Sequence, residues 1–463
     1  MATRDERMGA FDAVMFGIEG DPLLRSGIVA VIVLESPPDR DRVVERTERL
    51  TRLFPRLRQR AVGNPLSPAP PRWETDPNFD PDYHIRWRRL PDGDDDLTGA
   101  LAFAARMGEQ DFDKSRPLWE IAILTGLDDG RAAVIFKIHH SVADGMGGLA
   151  LGAALFDVAP DPGDLGALPP APEPAPAGLT DRFRQAAAFE IDALTEVVTG
   201  AARSSATGAA ALVRDPFGST RTAWHTASSA AAMLAPQSEP LSPLMSGRSL
   251  ACVFTVIDVP LAPLKAAADA AGVTLNVVFI AAVADAVGAY HRAHGTELPG
   301  FRVNMPISQR RPGDEAIGNH WVPARFVVPC GQTGAAERLR RLHGVVDDAR
   351  TDPALGLSEI IYKALALLPA PVTERLAGML MKGVDVAATN VPGPPVPIYL
   401  CGSRVTMMVP FAPKSGAAVN VALFTYDGTA LLGVNTDPAA VPDPGEFTRY
   451  LAEAVSRYSS PAG

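Results

Sequence analysis

The amino-acid sequence predicts an α/β protein with two core-bearing halves joined by a long connection. Three observations carry that prediction. Strand-like runs alternate with runs at helical spacing in both halves of the chain. A proline-dense stretch without any period, residues 158–178, lies between them. The length of 463 residues, 47% of them apolar, also exceeds what one ordinary hydrophobic core organises, so two domains or one duplicated fold are expected. The chain divides on this basis into 1–160, 161–248 and 249–463.

In the first part, Ile28–Leu34 (IVAVIVL) is a β-branched run suited to a buried strand. Asp41–Leu57 reads as a helix that closes near Pro55, and Leu97–Glu109 carries an apolar stripe at helical spacing. Ala132–His140 is strand-like again and Met146–Phe156 helical. Behind Thr180, a suitable N-cap, the residues Phe183, Ala187, Ile191, Leu194 and Val198 repeat at helical spacing. Residues 201–248, rich in Ala, Ser and Gly, continue the connection. In the last part, Ala251–Val259, Arg302–Pro306, Ala324–Val328 and Ala417–Tyr426 are strand-like; Leu261–Ala271 and Asn276–His291 are helical. Tyr426-Asp427-Gly428-Thr429, between two β-rich runs, has a hairpin-turn signature.

Composition narrows the function. A formal charge of −10 is unsuited to a phosphate backbone, so no nucleic acid partner is expected. Three widely spaced cysteines, Cys252, Cys330 and Cys401, argue against a disulfide scaffold and for a reducing compartment. The N-terminal residues carry charges of both signs and no apolar core of a signal peptide. The longest apolar runs, such as Gly27–Leu34 and Val277–Ala284, fall far short of the roughly 20 residues that span a bilayer. The expected location is cytoplasmic, at most peripheral at the inner membrane or a lipid droplet.

The segment richest in chemistry is His139-His140-Ser141-Val142-Ala143-Asp144-Gly145, where a strand ends and a helix begins. Neighbouring side chains on a strand point to opposite faces, so the two imidazoles do not converge on one ligand. A metal site is disfavoured on that ground, and His84, His225, His291, His294, His320 and His343 form no companion motif. Gly145, Gly147 and Gly148 do not have dinucleotide-loop spacing. Two structural histidines would be the bland reading for either residue alone. A general base at the strand end is the reading favoured for the whole heptapeptide, because histidine titrates near neutrality. Gly145 allows a tight turn or a close backbone approach.

HHSVADG also resembles the HHxxxDG signature of the acyltransferase superfamily that includes chloramphenicol acetyltransferase and peptide-synthetase condensation domains. Its surroundings are similar to the bacterial wax ester synthase/diacylglycerol acyltransferases. The similar segments are Phe11-Asp12 with Phe16 and Glu19, Phe54-Pro55-Arg56, Trp73–His84 (WETDPNFDPDYH) and Arg116-Pro117-Leu118-Trp119-Glu120. In the second half they are Pro306-Ile307-Ser308-Gln309-Arg310, Gly318-Asn319 and Asn390-Val391-Pro392-Gly393-Pro394. Two departures stand out: Asn276-Val277 where the family commonly has Asn-Asp, and Leu24-Arg25 where it often has Met-His. Both bear on substrate preference.

The resemblance implies two chloramphenicol-acetyltransferase-like subdomains with mixed sheets flanked by helices and an active-site channel between them. It implies acyl transfer from acyl-CoA, as co-substrate, to a diacylglycerol or a long-chain fatty alcohol, with no bound cofactor and no metal. His140 is then the general base, His139 its support, Asp144 a loop anchor with a partner such as Arg310, and Gly145 a backbone device. Trp119, Asn276, Ser308, Arg310, Asn390 and Gly393 are expected at the substrates or the channel. Trp119 has core packing as its alternative, Asn276 a helix cap, and Asn390–Pro394 a turn set by Pro392 and Gly393. Val372, Leu376, Met379 and Leu380 beside Lys382 form an amphipathic stretch that could touch a membrane or lipid droplet, or simply pack. A lipid-binding relative with little turnover, or an acyltransferase for another lipid alcohol, is the competing function.

Overall fold

The computed structural model describes residues 7–63, 69–93, 96–174, 178, seven positions between 180 and 199, 239–308, 321–352, 355, 358–366 and 368–459. Two six-stranded mixed sheets dominate it.

The first half supplies helices α1 (Ala10–Gly17), α2 (Arg40–Leu53), α3 (Pro81–His84), α4 (Leu97–Glu109) and α5 (Gly145–Leu155). Its strands are β1 (Gly27–Leu34), β2 (Gln59–Val62), β3 (Arg72–Thr75), β4 (Ile85–Arg89), β5 (Trp119–Thr125) and β6 (Ala132–His139). Asp39 caps α2 by accepting from the Arg42 amide, and the helix closes before Pro55, near the end expected from the sequence. Asp96 caps α4 in the same way. β5 escaped the sequence reading because all but its last residue are buried, which leaves no alternation to detect.

The second half supplies β7 (Val253–Pro260), β8 (Gly300–Ser308), β9 (Trp321–Pro329), β10 (Val386–Val391), β11 (Tyr399–Leu400), β12 (Ser403–Phe411), β13 (Val419–Tyr426) and β14 (Thr429–Thr436). Its helices are α6 (Leu261–Ala271), α7 (Leu275–Ala293), α8 (Ala335–Thr351), α9 (Ser358–Ala366), α10 (Ala370–Met381) and α11 (Pro444–Ser459). The β13–β14 turn is the one expected: Asp427 and Gly428 both have positive φ, which a two-residue type I′ hairpin requires. The helix α7 is apolar all round because it is the buried centre of the second core. Among the described residues no single helix is long and apolar enough to cross a bilayer. All three cysteines are free.

The second sheet runs β7-β14-β13-β10-β8-β9, with β10 parallel to both neighbours. The first runs β11-β12-β1-β6-β5-β4. Its β11 and β12 come from the second half of the chain. β12 pairs antiparallel with β1, with Val29 opposite Phe411 and Ile32 opposite Met408. Sheet membership therefore crosses the sequence boundary at 249, and the two halves interlock.

The start of the proline-rich connection is tied down. Asp157 exchanges backbone hydrogen bonds with Tyr399, and its carboxylate is paired with Arg46 in a buried site. Arg49 and Arg52 of α2 donate to the carbonyls of Gly166, Ala167 and Pro169. Of the helix expected behind Thr180, the described positions are helical. Phe183, Leu194, Val198 and residues 201–238 lie outside the described residues.

Candidate active site

The HHxxxDG segment spans the end of β6 and the start of α5. β6 lies between β1 and β5, so its terminal residues are fixed from both sides: the His139 amide donates to Leu118 O and the His140 amide to Ser26 O, each at 2.9 Å.

The two imidazoles diverge, as strand geometry demands. His139 has no exposed surface and sits edge-on between the rings of Phe16 and Phe112. The Ser141 amide donates to its Nδ1 at 3.0 Å, and the Ser141 hydroxyl lies 2.7 Å from the same atom. An acceptor at Nδ1 leaves the ring proton on Nε2, 2.9 Å from Glu19 Oε1. His140 points the other way and is half-buried. Its ring lies 5.3 Å from that of Trp321, the first residue of β9 in the second sheet. Trp321 in turn meets Phe11 edge-on at 4.8 Å. The first half thus contributes the imidazole and the second half an aromatic wall.

Glu19 is buried with three polar neighbours. Ser26 N–H donates to Oε1 at 2.7 Å, and Lys114 Nζ is 3.2 Å from Oε2. Burial pushes this carboxyl up, but the His139 imidazole, the Lys114 ammonium and the Ser26 amide outweigh it and hold it at about 2. The group at His84 is opposite in kind: burial pushes its imidazole down to about 4.

Both groups make the protein acid-labile, in different windows. The folded state disfavours a charged His84, so stability falls as pH drops from 6.5 toward about 4. The depressed Glu19 contributes in full above 4.5 and loses its contribution as pH falls toward about 2. Each contribution is roughly 3 kcal/mol, since a tenfold change in proton affinity corresponds to about 1.4 kcal/mol. Denaturant midpoints measured from pH 7 to 3 should fall across both windows, and a flat midpoint between pH 6.5 and 4.5 would refute the His84 part.

The other expected site residues separate into groups. Asp144 is the N-cap of α5: its Oδ1 accepts from the Gly147 amide at 2.7 Å, consistent with a loop anchor. The Arg310 suggested as its partner lies outside the described residues, as do Gly318 and Asn319. Gly145 meets the second half directly, because a Cβ there would lie 2.8 Å from Val391 Cγ2. Ser308, exposed at the end of β8, pairs with Trp321 and so borders the same wall. Asn390 is exposed near the end of β10, beside Val391.

Three others make contacts within the fold. Trp119 is buried and stacked on His84 at 4.3 Å, and its indole donates to Leu57 O at 2.7 Å; it takes the core role. Asn276 is not the cap of α7, since Thr274 holds that position; its amide donates to Met305 Sδ at 3.2 Å. Gly393 lies flat on β13, its amide donating to Thr425 Oγ1 at 3.1 Å. Segment 390–394 is only partly a turn, because Asn390 and Val391 belong to β10. In α10, Ala377 and Met381 pack on α1 while Val372 is exposed.

Sequence reasoning had no role for Trp321, Ser141, Lys114 or Ser26, and placed Glu19 only as part of a resemblance. Trp321 stands opposite Ser308 of an already suspect motif, which was the available signal.

Comparison with known proteins gives the family. Residues 8–279 match the wax ester synthase/diacylglycerol acyltransferase catalytic domain, and residues 317–458 match the C-terminal domain of the same family. A putative diacylglycerol O-acyltransferase of Mycobacterium tuberculosis is 32% identical over 462 residues, covering 99% of this chain and 92% of that protein. A probable diacylglycerol O-acyltransferase of the same organism is 27% identical over 446 residues, covering 93% and 90%. Two solved structures share the fold. The wax ester synthase/diacylglycerol acyltransferase of Marinobacter aquaeolei VT8 superposes with a TM-score of 0.62 at 19% identity, over 98% of each chain. The first condensation domain of the calcium-dependent antibiotic synthetase does so with 0.59 at 19%, over 99% and 98%. With both domain models matched in order along nearly the whole chain, the protein belongs to the wax ester synthase/diacylglycerol acyltransferase family of O-acyltransferases.

Proposed function

We propose that the protein esterifies a diacylglycerol or a long-chain fatty alcohol with an acyl group from acyl-CoA, giving triacylglycerol or wax ester, with His140 as general base. One observation carries this reading: of the two adjacent imidazoles, His139 is consumed by buried contacts, while His140 faces Trp321 across the junction of the two halves.

A neutral hydroxyl is a weak nucleophile. His140 takes its proton as the oxygen attacks the thioester carbonyl. The C–O bond forms, the C–S bond breaks, and the imidazolium returns the proton to the departing CoA thiolate. The remaining acceleration comes from holding two substrates together at the junction. The aromatic wall of Trp321 and Phe11, and Val391 against Gly145, suit long hydrocarbon chains. Such substrates partition into lipid, so this reading places the protein in the cytoplasm, peripheral at the inner membrane or a lipid droplet, with the exposed Val372 of α10 as one contact.

The test is release of CoA thiol from palmitoyl-CoA with hexadecanol and, separately, with dioleoylglycerol. Acceptor-dependent release supports the proposal, and the faster acceptor names the product. A folded protein that releases no thiol with either would favour a lipid-binding relative with little turnover, or a different lipid alcohol as acceptor.

A further inference from the structure

We infer that Glu19 is a positioning residue for His140, acting on the catalytic peptide from two sides at once. The inference rests on the reading of His140 as base.

A buried carboxylate is a poor choice for stability alone. Desolvating it is costly, and buried ion pairs can often be replaced by apolar residues of like volume without loss. Glu19 is nonetheless buried, in the short helical turn Ile18–Gly20 that follows α1. What it does there is geometric. Its Oε1 receives two groups. One is the side of the His139 imidazole, at 2.9 Å. The other is the amide of Ser26, at 2.7 Å, and the carbonyl of Ser26 accepts from the His140 amide at 2.9 Å. The residue before His140 is thus held through its side chain and His140 itself through its backbone, both from one oxygen atom. Lys114, from the turn after α4, forms an ion pair with the other oxygen, its Nζ 3.2 Å from Oε2. No apolar residue could replace this, because it would tie neither point.

The consequence is specific to orientation. His140 keeps its own imidazole in every variant of Glu19; only the precision of its placement changes. Misplacement on the order of 1 Å can cost about a hundredfold in rate without weakening substrate binding.

The experiment measures kcat, KM for each substrate and the melting temperature for Glu19→Gln, Glu19→Ala, Glu19→Gln/Lys114→Met and, as control, His140→Ala. Glu19→Ala removes both ties, and kcat should fall about ten- to a hundredfold with KM for both substrates within about twofold. In Glu19→Gln the amide oxygen still accepts from the Ser26 amide and stays beside the His139 imidazole, but its NH2 then faces the Lys114 ammonium. A loss of about tenfold in kcat is expected, partly recovered when Lys114→Met removes the opposed donor. A merely structural role would shift the melting temperature and leave kcat, assayed below melting, unchanged; that result in Glu19→Ala overturns the inference. If Glu19→Ala does not fold, Glu19→Leu, which has similar volume and makes neither tie, decides, and kcat within about twofold of wild type overturns it equally. The control separates the two readings. Wild-type turnover in His140→Ala would remove the base and this inference with it. Collapse there beside unchanged Glu19 variants would remove the positioning role alone.

Discussion

Replacing His140 by alanine is expected to lower kcat for ester formation by roughly 10²–10⁴-fold, the usual worth of a general base. KM for acyl-CoA and for the alcohol should change little, because the role proposed for the ring is proton transfer and the walls around it stay in place. Folding should also survive. The His140 ring is half-buried against Trp321, and its amide, which bonds to Ser26 O, remains. His139→Ala is the instructive contrast. It takes one polar neighbour from the buried Glu19, whose Ser26 and Lys114 contacts remain, and this costs roughly 1–3 kcal/mol. Its main effect should be on stability, with turnover falling as a consequence. Thiol-release assays and thermal melts on the two variants check this. Equal kcat losses with equal melting temperatures would mean that the division of labour between the histidines is wrong.

Gly393→Ala should be among the most destabilising single-methyl changes in the chain. A Cβ at 393 would lie 2.1 Å from the carbonyl oxygen of Thr425 and 2.4 Å from the Phe424 ring. Neither can yield easily, since both belong to β13 in the middle of the second sheet. Overpacking of this kind costs about 1–3 kcal/mol and more where backbone is the obstacle. Gly148→Ala is the matched control. Nothing lies within 4 Å of a Cβ at 148, which is exposed on α5, so the change should be neutral or stabilising by roughly 0.5–1 kcal/mol. Denaturant midpoints separate the two outcomes. A Gly393→Ala protein as stable as wild type would show that segment 392–394 can lift off β13.

The site was legible where local chemistry is sufficient to specify it. HHSVADG placed a strand end, a helix start and two divergent imidazoles, because alternation along a strand is a property of the backbone itself. Asp144 is the N-cap of α5, and a Cβ at Gly145 would meet Val391. The strands β1 and β6, the helices α4 and α6, and the Asp427-Gly428 turn were readable for the same reason. Among the strands not read from the sequence, β5 is buried on both faces and so lacks the alternation that betrays a strand, whereas β12 does alternate between buried and exposed residues at its start. Trp119 looked like a channel residue in its motif, yet its place beside His84 and Leu57 O makes it core.

The sequence by itself determined the chemistry-bearing loop, the α/β character of both halves and the family resemblance, since each rests on residues close in the chain. Tertiary structure alone decided three things. It moved β11 and β12 across to complete the first sheet, it set Trp321 before His140, and it brought Glu19 beneath His139. Those contacts join residues about 120 to 380 positions apart in sequence. No periodicity encodes such distances; they follow from how two sheets and their helices bury their apolar faces together.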